Sequence, residues 1–375
     1  MRATSQNSPA ILIAAVSGRS LAAAARRAGY RPLVADLFND SDTVALSERV
    51  ARFSGSIGDG IDKESATETL LLLTEHEKPE ALVYGSGFER RPEILKAFER
   101  HFPLAGNTAK TVAMVKDPVL LAQLCRQSGI PHPEVRLDAP TRSAGWLRKI
   151  GGGAGGAHVH HASHPRRQDG CYFQKFVPGR SISVLFLAQM EQAHIVGFSR
   201  QWSAPSAQSP FRYGGAVRLT RFDRKKRMQV RMWLDALTAA TGLVGLCSAD
   251  FIDGPDGLHL IEINPRPGAT LDIFDSDDAP LLTQHLNAVR GEAITVPTYR
   301  GAAASAIAYA VRPIRNFPPV EWPELTADHQ KPGSALQADD PVCTVLARAH
   351  SAAAAERAVK SRTLAMAAYW KGEFR

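Results

Sequence analysis

The sequence predicts an α/β fold, α+β over the whole chain, and three stretches carry that prediction. Residues 10–16, AILIAAV, form an unbroken apolar run ending at Ser17-Gly18, as a strand buried on both faces of a parallel sheet does. Residues 146–150, WLRKI, read as another strand and run straight into Gly151-Gly152-Gly153-Ala154-Gly155-Gly156-Ala157-His158. Residues 258–268, LHLIEINPRPG, follow CSADFI and the turn-dense DGPDG, so the two runs read as the arms of a hairpin.

From the N-terminus, the first strand leads to a helix over 19–28 with Gly29 as its stop, then to a strand over 32–37. This β-α-β order predicts a right-handed crossover in an open sheet. No GxGxxG is present, so Asp36 reads as a strand-end acid, not a ribose ligand. A helix over 63–76 precedes a strand over 81–84 and the loop Gly85-Ser86-Gly87-Phe88-Glu89. Glycines at a strand's C-terminal end let the backbone approach a ligand. Glu89 is there either to meet a substrate amine or to open the helix over 92–100. Residues 108–129 read as two helices broken at Asp117-Pro118. Past the glycine run come CYFQKFVPGR at 171–180, an apolar strand over 182–188, a strand over 194–202 and a polar loop over 203–210. FRYGGAVR at 211–218 follows, then a helix over 225–240 whose Met232, Trp233, Leu237 and Ala240 read as its core stripe. A helix over 270–290, strands over 304–311 and 342–348 and an Ala-rich helix over 351–370 complete the chain.

At 375 residues the chain can bury one large core or two to three smaller ones. Its 44% hydrophobic and 22% charged residues are ordinary for a globular protein. The net charge of +8 is spread along the chain, and no zinc-finger, homeodomain or RNP pattern occurs. No specific nucleic-acid partner is therefore expected, while a positive field suits anionic nucleotides. Cys125, Cys171, Cys247 and Cys343 form no CxxC pair, which points to buried thiols in a reducing cytoplasm. The apolar run at the N-terminus is too short for a membrane span and has no cleavage site behind it. A cytoplasmic protein, with a homodimer as one compatible assembly, is the expectation.

The hairpin carries the strongest chemical signal. Alternation puts Leu260, Glu262 and Asn264 on one face and Ile261 and Ile263 on the other. A turn near Pro255 sets Asp250 opposite Glu262 or one position diagonal to it. Two carboxylates and an amide oxygen within a few ångströms suit a hard cation such as Mg²⁺, which commonly carries phosphate. Arg266 adds a fixed cation just beyond. The glycine run frees backbone N–H groups to wrap phosphate, with Lys149 as a point charge beside it. His158, His160, His161 and His164 crowd the end of that loop. They read as solvated loop residues, because no rigid frame or thiolate accompanies them, although His158 is close enough in sequence to touch phosphate. Arg212, Tyr213 and Arg218 read either as a carboxylate grip or as surface cations.

The run EINPRPG with an aspartate strand before it resembles the metal-binding signature of the ATP-grasp superfamily. So does the order lysine, glycine loop, carboxylate hairpin. The resemblance spans roughly residues 10–290. It implies an ATP-grasp fold behind an N-terminal Rossmann-like pre-ATP-grasp lobe (1–108). A small lobe with the glycine loop (109–190), a large lobe with the metal site (191–300) and a C-terminal layer (301–375) would follow. It implies ATP with two Mg²⁺ ions held by Asp250, Glu262 and Asn264, and triphosphate contacts from Lys149, Gly152, Gly153, Gly155, Gly156 and His158. Adenine would be flanked by Gln174, Lys175, Phe176 and Val177, with the last two as its hinge. Ser181 stands where the family often has a ribose-binding glutamate. Catalytic roles fall to Arg266 and Lys149, and substrate contacts to Glu89, Arg212, Tyr213 and Arg218.

The implied activity is carboxylate–amine ligation through an acyl phosphate, with small-molecule carboxylate and amine substrates. VYGSGFE and EINPRPGATLDIF are most similar to a carboligase-like branch related to tyramine–glutamate ligases of one-carbon cofactor biosynthesis. Its substrates would be glutamate and an amine of methanofuran- or methanopterin-type cofactors. The alternatives are a biotin-carboxylase-like or polyglutamylating enzyme, or a nucleotide-binding regulatory protein without turnover.

Overall fold

The computed structural model describes residues 8–163 and 170–371. At the N-terminus, four parallel strands lie in the order Arg49–Arg52, Arg31–Asp36, Ala10–Ala14, Leu82–Tyr84. The predicted first three elements are there, as Ala10–Ala14, the helix Arg19–Arg27 and Arg31–Asp36. The alanines of that helix allow close packing: Leu21, Ala22, Ala24 and Ala25 are buried. Gly18 opens the crossover because any Cβ there would run into Val34. Its N–H donates to Asp36 Oδ2 at 2.8 Å, while Phe38 and Asn39 donate to the other oxygen. Asp36 thus ties down its own strand end and faces no open site. The short helix Ser41–Leu46 and the strand Arg49–Arg52 have no counterpart among the predicted elements.

A small antiparallel sheet runs Val135–Arg136, Cys171–Lys175, Trp146–Ile150, His160–His161. The largest sheet has eight strands, ordered Gly257–Asn264, Gly245–Gly254, Arg180–Gln189, Gln192–Ser203, Tyr213–Arg218, Ala302–Tyr309, Pro341–Ala349, Thr326–Ala327. The C-terminal strands therefore continue the sheet that holds the carboxylate hairpin. Arg180–Gln189 shows why this sheet is covered on both sides. Val184, Phe186 and Ala188 join one apolar cluster with Trp233 and Leu234 of the helix Arg224–Thr241. Leu185 and Leu187 join another with Leu21, Phe274 and Leu282, so period-2 alternation serves two cores.

Two expectations need correction. Residues 270–290 do not form one helix but Leu271–Phe274 and Leu281–Arg290. The Asp275 carboxylate receives the N–H groups of Ser276 and Leu281, and Pro280 begins the second helix without an N–H to satisfy. On Arg224–Thr241, Met232 and Ala240 are exposed. The buried stripe is Val230, Trp233, Leu234, Leu237, Thr238 and Thr241, so Trp233 and Leu237 face the core as expected. All four cysteines are free thiols, three of them buried. Among the described residues, no helix is long and apolar enough to cross a membrane.

Candidate active site

The hairpin pairs Asp250 directly with Glu262 and Ser248 with Asn264, and closes at Gly254 and Gly257. One feature of its face assignment differs from simple alternation. The register shifts between Asp250 and Phe251, whose partners are Glu262 and Leu260, leaving Ile261 as the extra residue of a β-bulge. Leu260 and Ile263 therefore both enter the core, while Ile261 and Glu262 both line a cleft. Strict period-2 reasoning put Leu260 beside Glu262; the bulge reverses that.

Asn264 Nδ2 donates to Asp250 Oδ2 at 3.0 Å. Its Oδ1 accepts from Lys116 Nζ at 2.8 Å, and Lys116 also forms an ion pair with Glu262. Lys116 is the last residue of the helix Ala109–Lys116 and its side chain is buried. Nothing in its sequence context singled it out, because a lysine at a helix end reads as a dipole complement. Asp250 Oδ1 is buried without a hydrogen-bond partner. Burial first, and Glu262 second, push the Asp250 carboxyl up. Burial would also raise Glu262, but Lys116 and Lys149 outweigh it and hold it down at about 2. Glu262 and Asn264 thus hold one ammonium group, Asn264 links it to Asp250, and one Asp250 oxygen has no hydrogen bond. This donor set fits a hard divalent cation, so Asp250, Glu262 and Asn264 are the residues that would hold Mg²⁺.

Lys149 is buried and donates to Gln174 Oε1 at 2.9 Å. Burial lowers its pKa, Lys116 adds to that, and Glu262 and Asp250 oppose it. Gln174, Tyr172, Gly152, Gly153, His158, His132, Lys116, Ile261 and Glu262 bound one narrow cleft with an empty volume of ≈ 370 Å³. His158 turns into this cleft, its imidazole pushed down to about 4 by burial, with Lys149 adding to the effect.

The glycine loop uses its missing side chains at identifiable contacts. Gly152 (φ +67°) lies against the Glu89 carbonyl, and Gly156 (φ +72°) against that of Phe211. The Gly155 carbonyl accepts from Tyr213 N at 2.8 Å. Of the other histidines, His161 packs on the Phe211 ring at 5.2 Å, and His164 lies outside the described residues. Among the described residues no three His, Cys, Asp or Glu side chains form a metal-binding group.

Other expected residues sit elsewhere. Lys175 and Phe176 donate their backbone N–H groups to Glu134 and Gly145 carbonyls, each at 2.8 Å. Only Gln174 of the expected adenine segment lines the cleft; Lys175, Phe176 and Val177 do not. Ser181 Oγ donates to Gln201 Oε1 at 3.3 Å.

Glu89 neither opens a helix nor meets solvent. It pairs with Arg266 (Nε to Oε1, 2.8 Å) and accepts the N–H groups of Gly87 and Phe88. Both side chains of this pair are buried. Burial opposes ionisation of Glu89, but Arg266 and Lys116 prevail and hold its pKa low. Arg266 is therefore a tethered cation between the hairpin and Pro267, whose carbonyl it also reaches.

Arg212 binds Asp339 at 2.7 Å and lies over the Tyr309 ring, while Arg218 binds the Ile273 carbonyl and lies over Tyr299. Both are structural cations holding down neighbouring segments. Tyr213 instead lines a second, larger cavity of ≈ 990 Å³ empty volume. Its walls come from the strand ends of the N-terminal sheet, from Pro267–Asp272 and from the C-terminal strands.

Residues 115–270 match the family model described as ATP-grasp domain. A search of curated proteins finds no match. Among solved structures, the biotin carboxylase domain of Hydrogenobacter thermophilus 2-oxoglutarate carboxylase is similar at TM-score 0.70 and 12% identity. The match covers 93% of this chain and 89% of that one. An L-amino acid ligase from Bacillus licheniformis is similar at TM-score 0.69 and 14% identity, with 95% and 97% covered. The N5-carboxyaminoimidazole ribonucleotide synthetase from Thermotoga maritima gives 0.64 and 15%, with 94% and 98% covered. The fold is thus that of the ATP-grasp proteins.

Proposed function

We propose that this ATP-grasp chain is an ATP-dependent ligase joining a carboxylate to an amine. The observation that carries the reading is the opposed pair Asp250 and Glu262, with Asn264 and Lys116 between them and one Asp250 oxygen unmatched. Mg²⁺, when bound, would neutralise the triphosphate and leave phosphoryl transfer to positioning and charge. Lys149 and Lys116 supply fixed positive charge beside Glu262, and the glycine loop with His158 would cover the phosphates. In the proposed sequence a substrate carboxylate oxygen attacks the γ-phosphorus, the bond to the β-phosphate oxygen breaks, and ADP leaves. A neutral amine then attacks the acyl carbon, and phosphate leaves as the amide forms and the nitrogen gives up a proton. Arg266, held in place by Glu89, puts a fixed cation close to Glu262 and Asp250.

Within this class we read a glutamate-type carboxylate and an amine such as tyramine, in methanofuran- or methanopterin-type cofactor biosynthesis. The likeness of VYGSGFE and EINPRPGATLDIF supports that reading, as does a structural neighbour that is itself named an amino acid ligase. The test is a panel of carboxylates and amines with ADP and phosphate measured and products identified by mass spectrometry, with Glu262→Gln as control. Amide formation dependent on both partners supports ligation. ADP release dependent on bicarbonate alone would instead assign a carboxylating enzyme.

A further inference from the structure

The glycine loop takes its shortest hydrogen bond from outside its own segment. Its Gly155 carbonyl accepts from Tyr213 N at 2.8 Å, while its other hydrogen bonds among the described residues are longer, at 3.1–3.3 Å. Gly156 has no room for a Cβ against the Phe211 carbonyl, and the Phe211 ring carries His161, just past the loop, at 5.2 Å. These contacts all come from the end of the connection 204–212, which joins the strands Gln192–Ser203 and Tyr213–Arg218. The connection is closed on itself. Ala204 N donates to the Arg212 carbonyl at 2.8 Å, and Arg212 Nε donates to the Ala204 carbonyl at 2.9 Å. It is also anchored from the C-terminal side. Arg212 Nη1 donates to Asp339 Oδ1 at 2.7 Å and Ser206 Oγ to Asp339 Oδ2 at 2.6 Å, so one carboxylate ties two points of the connection. The guanidinium lies 3.7 Å from the Tyr309 ring centre, and the Tyr309 hydroxyl donates to the Tyr213 carbonyl at 2.7 Å. Asp339 is pinned in turn, its N–H on the Ala310 carbonyl at 2.8 Å and its φ left-handed at +72°.

We propose that Arg212 and Asp339 are positioning residues for the glycine loop. Their ion pair fixes the 204–212 connection, and the connection holds the loop over the cleft that Gly152, Gly153 and His158 line. That the cleft holds a nucleotide rests on the function proposed above. A glycine-rich segment has almost no side chains to pack and much backbone entropy to lose, so its order comes from the surface it lies on. Here that surface is a short connection whose own place depends on one carboxylate. Removing the pair frees the connection, and with it the loop, by local opening that leaves the two large cores intact. Neither Arg212 nor Asp339 lines the nucleotide cleft, so both act through the loop and not on the reacting groups.

The test is hydrogen–deuterium exchange across residues 151–158 of the full chain without nucleotide, for the wild type, Arg212→Met and Asp339→Gly. Glycine keeps the φ of +72° that position 339 adopts. Both variants are expected to raise exchange in the loop by about fivefold, the order expected of a partly exposed ion pair. Glu356→Gln is the control. It removes the pair Arg200–Glu356, which joins the same sheet to the helix Ala352–Met366 away from the loop, and is expected to leave loop exchange unchanged. Thermal melts check that each variant folds. A second readout is release of the N-methylanthraniloyl derivative of ADP in excess magnesium, expected to be several-fold faster in both variants. Unchanged loop exchange in either variant, an equal rise in Glu356→Gln, or faster exchange with unchanged release would overturn the proposal. If the wild type takes up no nucleotide, the nucleotide reading falls, and the exchange comparison still decides whether Arg212 and Asp339 hold the loop.

Discussion

At the residue scale, the pairings that shape the site are those between distant positions. Asp250, Glu262 and Asn264 are legible in the sequence because strand periodicity and a short turn bring them to facing positions of one hairpin. Lys116 and Glu89 are not, since they meet their partners across 146 and 177 residues. Glu89 looked like a ligand for a substrate amine because it follows a glycine loop at a strand end. In the fold its charge is taken by Arg266. Removing one member of a buried pair leaves the other uncompensated, which typically costs about 3–5 kcal/mol. Glu89→Leu should lower unfolding free energy by that order in urea titrations. A change below about 1 kcal/mol would show that the pair is not held as described. If Arg266 works on the reacting groups, Arg266→Met should lower turnover by roughly 10²–10³, read as ADP formation at saturating substrates.

At the element scale, the bulge at Ile261 and the glycine loop do what single side chains cannot. The bulge puts two consecutive residues, Ile261 and Glu262, on the cleft wall and returns Leu260 to the core. Sequence alternation could not reveal it, because a bulge is a property of two strands in register. The loop's glycines were legible as a phosphate cradle, but their contacts with Glu89 and Phe211 depend on where other lobes lie. Gly156 combines a left-handed φ with direct contact on the Phe211 carbonyl. Gly156→Ala should displace the loop, raising the KM for ATP several-fold and lowering stability by more than about 1 kcal/mol. An unchanged KM would mean that the loop does not cover the triphosphate. The helix expected over 270–290 is interrupted because Asp275 and Pro280 together satisfy the chain without helical hydrogen bonds, a choice that local periodicity does not encode.

At the scale of the whole molecule, the N-terminal sheet, the eight-stranded sheet and the segments that follow it are locked through a few buried polar contacts. Arg19 joins the first to Asp272 and Asp328. His285, 1% exposed, accepts from Leu246 N at 2.8 Å and bonds the Ala105 carbonyl at 3.0 Å. Burial pushes His285 down to about 4 from an ordinary 6.5. Its unfolded form binds more protons between those values, so stability is full above pH 6.5 and is lost as pH falls toward 4. Denaturant titrations at pH 7 and pH 5 should differ by about 2 kcal/mol through this group alone, and His285→Gln should remove that share. The same pH dependence in the variant would contradict it. The α/β lobe and the hairpin were readable because each is built from neighbouring segments. The continuation of the large sheet through Ala302–Tyr309 was not, because its pairing with Tyr213–Arg218 is fixed by packing between segments far apart in the chain.

The central claim is that Asp250, Glu262 and Asn264 seat the metal of a metal–nucleotide complex beside Lys116 and Lys149. Calorimetric titration of ADP into the full chain tests it most directly, in excess magnesium and again in chelator, for the wild type and for Glu262→Gln. The account predicts saturable binding that needs magnesium and weakens tenfold or more in the variant. Nucleotide binding that is equally tight in chelator, or absent from the wild type in excess magnesium, would contradict it.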